Sequence, residues 1–512
     1  MGYKKLQLKL PTANTDEHIR QMICERLYLK DFSYVIEKKS LDARKKNDIH
    51  WLMNFVVSSP SLQGESYTPS PSLDIPYKKR KETVAVIGSG PAGFFSAHVL
   101  QKAGFSVTII ERGSEVTARS KAIKDLEENG SFSATNNYAF GEGGAGTFSD
   151  GKLTSRSKHI SRERQFILNE YVKAGAPEEI LYMAHPHLGT DNLKLIVANL
   201  RKTFLENGGT IKFDTHMSDI HIKNGHVTGL VCNNDELTPD HVLIAAGHSA
   251  YDTYRMLMRR GVPFHTKQFA IGHRIEHPRT LINKAQWNRE ELPGVKAAEY
   301  RLTTKTASGL PVYTFCMCPG GHVVQSAAFP EKSIVNGMSY YQRNGQYSNA
   351  ACVVGVHPDA LLGHTCTPTE ILDWMDALEE KFYNYSQDYS IPATRASDYT
   401  KKRKSGKWLE SSYSLGLFSG ALYNMIPEIV SKALIQGLKD FNGKLEGFDQ
   451  GILMGLESKT SSPLQADREK NGQSQDIDNL YIIGEASGYA GGIISSAADG
   501  IRCAMSLSEA GS

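Results

Sequence analysis

The sequence predicts an α/β protein in which a parallel sheet is joined to two smaller α+β domains. A continuous apolar run, TVAVI at 83–87, leads directly into a glycine-rich turn and a helical pattern that ends near Ala103. A second apolar run, NLYIIGEA at 479–486, is also followed by a helical pattern, which ends near Leu507. Apolar runs of this kind, each followed by a helix, are typical of buried parallel strands. The whole chain of 512 residues has room for roughly three domains.

Residues 1–57 are predicted to form a small α+β domain of the ferredoxin-like type. A strand at Lys5–Leu10 precedes an amphipathic helix that starts at Asp16 and ends near Leu29, in which apolar residues recur every fourth position. Two extended segments, FSYVIEKKSLDA and IHWLMNFVV, complete the domain.

A linker is predicted at 58–82, because the first fifteen residues of this stretch hold six serines and three prolines and the basic run KKRK follows at 78–81. Beyond the linker, the first domain is interrupted by a long segment of mixed strands and helices. The predicted divisions are a first part of the parallel-sheet domain at 83–250, an inserted α+β substrate domain at 251–440, and the return to the first domain at 441–512.

Inside the first part, Phe105–Ile110 reads as a second strand, which completes a β-α-β unit. A helical pattern at Asp191–Asn207 ends at two glycines. Short alternating strands follow, and they predict a β-meander that returns to the sheet through HVLIAAG at 241–247.

Three glycines, Gly88, Gly90 and Gly93, form a G-x-G-x-x-G pattern between the strand and the helix. The first permits a tight turn, the second lets the backbone approach a pyrophosphate, and the third lets the helix pack closely on the strand. The helix N-terminus then offers N–H groups to the phosphates. Glu111 lies 23 positions after Gly88, where a carboxylate can accept hydrogen bonds from ribose hydroxyls. The alternative is a glycine-rich turn with a chance acidic residue.

Composition excludes several classes of protein and partner. With 40% hydrophobic and 22% charged residues, the chain is expected to be a soluble globular protein with no membrane span. A net charge of +3 gives no support to a nucleic-acid partner. Seven scattered cysteines and the lack of a signal-peptide pattern predict a reducing compartment, the cytoplasm. No metal site is predicted, because His185 and His187 have no third ligand at a useful spacing.

The chain resembles flavoproteins of the two-dinucleotide-binding type in the glutathione reductase superfamily, and within them a group of bacterial FAD-dependent dehydrogenases that mostly lack an assigned reaction. The resemblance spans residues 83 to 506. The segments that carry it are AVIGSGPAGFFSA (85–97), GEGGAGTFSDGKLTSR (141–156), HLGTDNL (187–193), VLIAAGHSA (242–250), TFCMCPGG (314–321) and NLYIIGEASGYAGGIISSAADG (479–500).

The resemblance implies a Rossmann-like FAD-binding domain and a role for each matching position. The first fingerprint would hold the pyrophosphate, Glu111 the adenosine ribose, and Arg112 would lie beside the adenine. A glycine loop would pass the isoalloxazine, Ala246 stands where the family has Thr, and Glu485 would accept from the ribityl chain. The implied FAD-binding residues are Gly88, Ser89, Gly90, Pro91, Ala92, Gly93, Glu111, Arg112, Gly143, Gly144, Gly146, Thr147, Ala246, Gly247, Gly484, Glu485, Gly491, Gly492 and Ile493.

Cys316 and Cys318 are the candidate catalytic residues. Two positions apart on a strand, their side chains are expected to share one face, with a turn at Pro319 ending the strand. A pair of thiols near a flavin can act as a redox relay or as a covalent handle for substrate. The simplest interpretation is that they are two small apolar side chains in a buried strand.

The predicted function is an FAD-dependent oxidoreductase that passes hydride through flavin N5 to or from a small-molecule substrate held by the inserted domain. Since no second G-x-G-x-x-G follows a strand, NAD(P)H would dock only transiently as electron donor, and a carrier protein is the alternative donor. Two other functions stay open. One is a flavin-containing RNA-modifying or RNA-binding protein that uses the N-terminal domain, and the other is a flavin redox sensor that uses the cysteine pair.

Overall fold

The computed structural model describes residues 2–68, 73–406 and 410–510. Part of the predicted linker, at 69–72, lies outside these residues. The strands are β1 (Gly2–Leu10), β2 (Ser33–Asp42), β3 (His50–Ser59), β4 (Thr83–Ile87), β5 (Ser106–Ile110), β6 (Thr210–Lys212), β7 (Met217–Lys223), β8 (His226–Cys232), β9 (Asp235–Leu237), β10 (His241–Ile244), β11 (Phe264–Thr266), β12 (Phe269–Pro278), β13 (Thr303–Lys305), β14 (Pro311–Cys318), β15 (His322–Gln325), β16 (Val335–Met338), β17 (Tyr347–Val356), β18 (Ile391–Arg395), β19 (Leu417–Ser419), β20 (Ile452–Glu457), β21 (Leu464–Ala466) and β22 (Leu480–Ile482).

Twelve α-helices lie between groups of these strands in the described part of the chain, and short 3₁₀ turns fill several of the connections. They are α1 (Asp16–Leu27), α2 (Pro91–Lys102), α3 (Val116–Asn129), α4 (Ser161–Lys173), α5 (Gly189–Glu206), α6 (Tyr251–Arg259), α7 (Arg279–Trp287), α8 (Pro358–Leu362), α9 (Pro368–Tyr383), α10 (Ala396–Tyr399), α11 (Glu428–Lys444) and α12 (Ile493–Ala510). Among the described residues, none of these helices combines the length and the apolar character needed to cross a bilayer.

The N-terminal unit is an antiparallel sheet in the order β1-β3-β2 with α1 packed on it through Ile19 and Ile23. A ferredoxin-like unit has the element order β-α-β-β-α-β. Here β3 runs into the segment that precedes β4, and no second helix or fourth strand completes the unit in its described part. The ferredoxin-like prediction is therefore wrong, and the unit is a shorter β-α-β-β arrangement.

The first large sheet is five-stranded and parallel, in the order β22-β10-β4-β5-β6. Its apolar strands are covered by α2 and α12, whose buried side chains share one core with those of β4 and β5. The predicted meander is present as β7-β8-β9. The first of the short strands that follow the two glycines, TIKFD at 210–214, is not part of this meander, because Thr210–Lys212 supply the edge strand β6 of the parallel sheet.

The second large sheet has seven strands in the order β13-β14-β17-β12-β20-β18-β19, most of them in the segment predicted as the inserted domain. Its central strands β12 and β17 are buried along almost their whole length. Because β20 pairs with β12 and β18, this sheet continues to Glu457, sixteen residues beyond the predicted return to the first domain at 441. The division of the chain into domains stays a prediction.

Candidate functional site

The turn between β4 and α2 is built so tightly that two of its positions require glycine. Gly88 has φ +104°, and a Cβ there would lie 2.5 Å from the Ala245 carbonyl oxygen. A Cβ on Gly93 would lie 1.9 Å from the Gly88 carbonyl oxygen. Helix α2 therefore sits directly on the strand ends, with Gly90 as its N-cap and no side chain capping it. Its first N–H groups are free to meet a ligand.

A cleft lined by glycine backbone extends from this turn. The Gly90 and Gly144 backbones face each other, and a Cβ on Gly247, Gly491 or Gly492 would meet open space. Directly after Gly247, the Nε2 atom of His248 is buried without a partner among the described residues. A long cofactor that needs close backbone approach and one polar contact fits these residues.

Seven of the predicted cofactor residues line one cavity at the closed end of this cleft, together with apolar residues of α2 and α5. They are Ser89, Gly90, Pro91, Gly143, Gly146, Thr147 and Ile493.

Glu111 is buried where β5 ends, and both oxygens of its carboxylate are engaged. Oε2 accepts hydrogen bonds from the backbone N–H and the hydroxyl of Ser89, at 2.9 and 2.7 Å. Oε1 accepts from the N–H groups of Gly113 and Gly141, at 3.0 and 3.1 Å. Glu111 thus joins the fingerprint turn to the glycine loop (residues 141–147), and a ribose hydroxyl would share an oxygen that already has partners.

Arg112, predicted to lie beside the adenine, is engaged by neighbouring side chains of the protein. Its guanidinium forms a bidentate pair with Asp252, at 3.0 and 3.1 Å, and lies over the Phe140 ring. The adenine contact stays a prediction for this residue, as the ribose contact does for Glu111.

Arg119 organises the glycine loop, and sequence reasoning missed it. The side chain is fully buried and donates hydrogen bonds to five backbone carbonyls at 2.7 to 3.2 Å. Burial lowers the pKa of its guanidinium to about 10, which leaves it charged at neutral pH. The carbonyls belong to Asn137, Tyr138, Gly141, Glu142 and Gly144. One side chain therefore sets the path of the loop that the family resemblance places beside the isoalloxazine.

The second fingerprint carries a hydrogen-bonded pair that faces the cleft. Glu485 accepts from Nδ1 of His248 and from the Gly492 N–H, each at 2.7 Å. Burial by itself would raise the pKa of the Glu485 carboxyl, but the charge and hydrogen bond of His248 outweigh it, so the pKa lies below its ordinary value. Glu485 therefore presents a carboxylate at the start of α12, and its contact with the ribityl chain stays a prediction.

Strand β14 ends in a bulge that contains the two candidate cysteines. Its register with β17 shifts between Phe315 and Cys318, and Cys316 has φ +42°. Cys316 is half-buried, whereas Cys318 is fully buried. The prediction that both side chains share one face of a regular strand is therefore wrong. Within the bulge, the Cys318 thiol donates a hydrogen bond to the Cys316 backbone carbonyl at 3.4 Å.

An ion pair, Arg274 with Glu457, lies under this bulge, fully inside the protein. The two groups meet at 2.9 Å and expose 0% and 2% of their side chains. Arg274 also donates to the Cys316 carbonyl at 2.7 Å. Burial raises the pKa of Glu457 to about 7, even though Arg274 opposes the shift.

Asp150, three residues after the glycine loop, centres a second buried group of charges. It accepts a bidentate pair from Arg343 at 2.6 and 3.0 Å and a hydrogen bond from Lys152 at 2.7 Å. Lys152 also donates to the carbonyl of Met317, inside the bulge. We call Arg274, Glu457, Asp150, Lys152 and Arg343 the charged cluster. It connects the glycine loop to the cysteine bulge.

The raised pKa of Glu457 predicts a specific dependence of stability on pH. Because the folded protein binds this proton more tightly than the unfolded chain, the stabilisation is complete below pH ~4.5 and is lost as the pH rises through about 7. A shift of this size is worth about 3 kcal/mol. We expect Glu457→Gln to lose less unfolding free energy than the wild type between about pH 5 and 7.5, measured by urea titration. Parallel curves for the two proteins would contradict this assignment.

Comparison with known proteins agrees with this site. Residues 81–125 match the family model described as FAD binding domain, and residues 268–460 match the model described as FAD-dependent protein, C-terminal domain-like. An uncharacterized protein of Clostridium beijerinckii (strain ATCC 51743 / NCIMB 8052) is 37% identical over an alignment of 515 positions, which covers 96% of this chain and 96% of that protein.

Among solved structures, FqzB is 13% identical with a TM-score of 0.37, covering 86% of this chain and 77% of its own. Glycine oxidase from Bacillus cereus ATCC 14579 is 14% identical with a TM-score of 0.34, covering 84% of this chain and 96% of its own. The full-length relative and the two matched models carry the assignment. The chain belongs to a family of FAD-dependent flavoenzymes that it shares with the Clostridium protein.

Proposed function

We propose that the protein is an oxidoreductase of the glutathione reductase type that exchanges a hydride between FAD and a small molecule bound against the inserted domain. When bound, FAD would supply two-electron chemistry at its N5 atom. One observation carries the proposal: the charged cluster and the cysteine bulge connect the glycine loop to the seven-stranded sheet. The substrate would lie where these two parts meet.

The FAD-binding role is distributed over two fingerprints. The turn at Gly88 to Gly93 would hold the pyrophosphate at the start of α2. Glu485, fixed by His248, would accept from the ribityl hydroxyls. The N-terminus of α12, at Gly492, would face the pyrimidine edge, where positive helix ends favour negative charge.

The charged cluster offers a cation for an anionic group of the substrate and a carboxyl group that can exchange a proton. Lys152 leaves 27% of its side chain exposed, so its ammonium can meet an anionic group from the open side. Asp150, fully buried, is held ionised because Arg343 and Lys152 outweigh the effect of burial and lower its pKa. Glu457, with a pKa of about 7, can hold or release a proton at neutral pH.

For the electron donor we propose NAD(P)H, docking transiently over the bound cofactor. In the described part of the chain both fingerprints belong to the one five-stranded parallel sheet, and no second sheet of that kind offers a permanent nucleotide site. The cytoplasm is the proposed compartment, which the seven free cysteines support.

The test is anaerobic reduction of the purified holoenzyme followed by stopped-flow absorbance. We expect NADPH or NADH to bleach a flavin band near ~450 nm within seconds. A second test uses the variant Glu485→Gln, which keeps the shape of the second fingerprint but lacks its charge. We expect this variant to be reduced more slowly and to retain FAD more weakly than the wild type. Bound flavin that neither nucleotide bleaches would contradict the nicotinamide donor, and a protein without flavin would contradict the whole proposal.

A further inference from the structure

We propose that Cys316 and Cys318 form a dithiol–disulfide couple, in which Cys316 attacks and Cys318 resolves. The inference rests on the proposed function, because a two-electron cofactor at the adjacent glycine loop gives such a couple its partner. It goes further by assigning an electron-transfer role to two specific sulfur atoms.

The local backbone makes a bond between these two residues feasible. In a regular strand, residues two apart are separated by about 6.6 Å, close to the upper limit for a disulfide. The bulge and the positive φ of Cys316 interrupt that regularity. The Cys318 thiol donates a hydrogen bond to the Cys316 carbonyl at 3.4 Å, so its sulfur lies against the backbone of Cys316. Arg274 contacts both that carbonyl, at 2.7 Å, and the Cys318 sulfur, at 3.5 Å.

The two thiols differ in access, which assigns their order in the reaction. Cys316 is half-buried and keeps some exposed surface, whereas Cys318 has none. An external group would therefore meet Cys316 first, and Cys318 would attack from inside.

The surroundings favour a thiolate at Cys316. The neighbouring Cys318 thiol and the positive charges of Arg274 and Lys152 lower the pKa of the Cys316 thiol below its ordinary value, against the effect of burial. Arg274 is anchored by Glu457 and reaches the Cys318 sulfur at 3.5 Å. A cysteine beside fixed cations, with access to solvent, is the attacking type.

With a small disulfide as oxidant, the exchange balances as follows. The Cys316 thiolate attacks one sulfur of the small disulfide, forms a mixed disulfide and releases one thiolate, which takes up the Cys316 proton. Cys318 then loses its proton and attacks the Cys316 sulfur, which releases the second thiol. Two protein thiols are oxidised to one disulfide, and one small disulfide is reduced to two thiols.

The test is mass spectrometry of the reduced holoenzyme after treatment with oxidised glutathione, alkylation and trypsin digestion. The tryptic peptide 306–332 contains both cysteines and no other. In the wild type we expect this peptide to be unalkylated and about 2 Da lighter than its reduced form. Two alkylated thiols, or a glutathione adduct that persists on Cys316, would overturn the proposal.

Two variants and a control identify the order of attack. Cys318→Ser is expected to trap glutathione on Cys316, and Cys316→Ser is expected to leave Cys318 unmodified. Cys24→Ser removes the other half-buried thiol and should leave closure of the disulfide unchanged. An adduct on Cys318 in the Cys316→Ser protein would overturn the assigned order.

The readout needs neither turnover nor a folded variant. If both variants failed to fold, the wild-type peptide mass would still decide whether the couple exists. A protein that closes the disulfide but whose flavin no nucleotide reduces would keep this inference and remove the proposed donor.

Discussion

Replacing Arg119 with methionine is expected to abolish FAD retention and to lower the free energy of unfolding by more than about 3 kcal/mol. The methionine would fill much of the space but would remove five hydrogen bonds to backbone carbonyls, of which those of Gly141 and Gly144 would keep a backbone donor. Because those carbonyls belong to the glycine loop and the residues just before it, the loop would lose the path that leaves the cleft open. We therefore expect Arg119→Met to lose FAD even under conditions in which the variant protein stays folded.

Flavin content per chain, measured by absorbance after purification, and urea unfolding check this expectation. Lys124→Met is the matched control, because Lys124 lies on the same helix α3 but exposes 68% of its side chain. It should keep both flavin and stability. An Arg119→Met protein that retains stoichiometric FAD would show that the loop holds its path without the guanidinium.

Replacing Arg274 with methionine should cost about 3–5 kcal/mol of unfolding free energy, since it leaves the carboxylate of Glu457 buried without its partner. The double variant Arg274→Met/Glu457→Leu should recover most of that loss, because an apolar pair needs no mutual compensation. Urea unfolding of the single and double variants measures the coupling between the two residues.

Arg255→Met provides the comparison for an accessible ion pair. Arg255 pairs with Asp373 and Asp376, and the Asp373 side chain is 63% exposed. Its replacement should cost about 1 kcal/mol or less. If Arg274→Met were no more destabilising than Arg255→Met, the pair under the bulge would not be the desolvated interaction described above.

The parts of the fold that depend on local pattern could be predicted from the sequence. The turn from β4 into α2 follows from an apolar run and three glycines, and α5 follows from its 3.6-residue period within three residues of its true ends. The end of the inserted domain could not be placed in the same way. Strand β20 looks like any buried strand in sequence, and only its pairing with β12 assigns it to the second sheet.

In the candidate site, too, residues in local sequence motifs could be predicted, whereas residues brought together from distant parts of the chain could not. The cofactor glycines stand in recognisable motifs, and Asp150 and Lys152 lie in one of the segments that carry the family resemblance, but Arg274, Arg343 and Glu457 do not. Arg274 meets Glu457 across 183 positions and Arg343 meets Asp150 across 193, so no spacing rule connects them. Arg119 looks like an ordinary charged residue of an amphipathic helix, although it is fully buried. The alternation at Cys316 and Cys318 did not predict the bulge that contains them, and their catalytic role stays a prediction.

The most direct test of the account is the flavin content of a Gly491→Leu variant. A side chain at this position would extend into open space, so the apoprotein should keep its unfolding free energy while the new side chain occupies the cleft. Gly443→Leu, at a similarly open position on α11, is the control. The account predicts one FAD per chain in the wild type and in Gly443→Leu, and little or none in Gly491→Leu. Full FAD occupancy in Gly491→Leu would contradict the placement of the cofactor in the glycine-lined cleft.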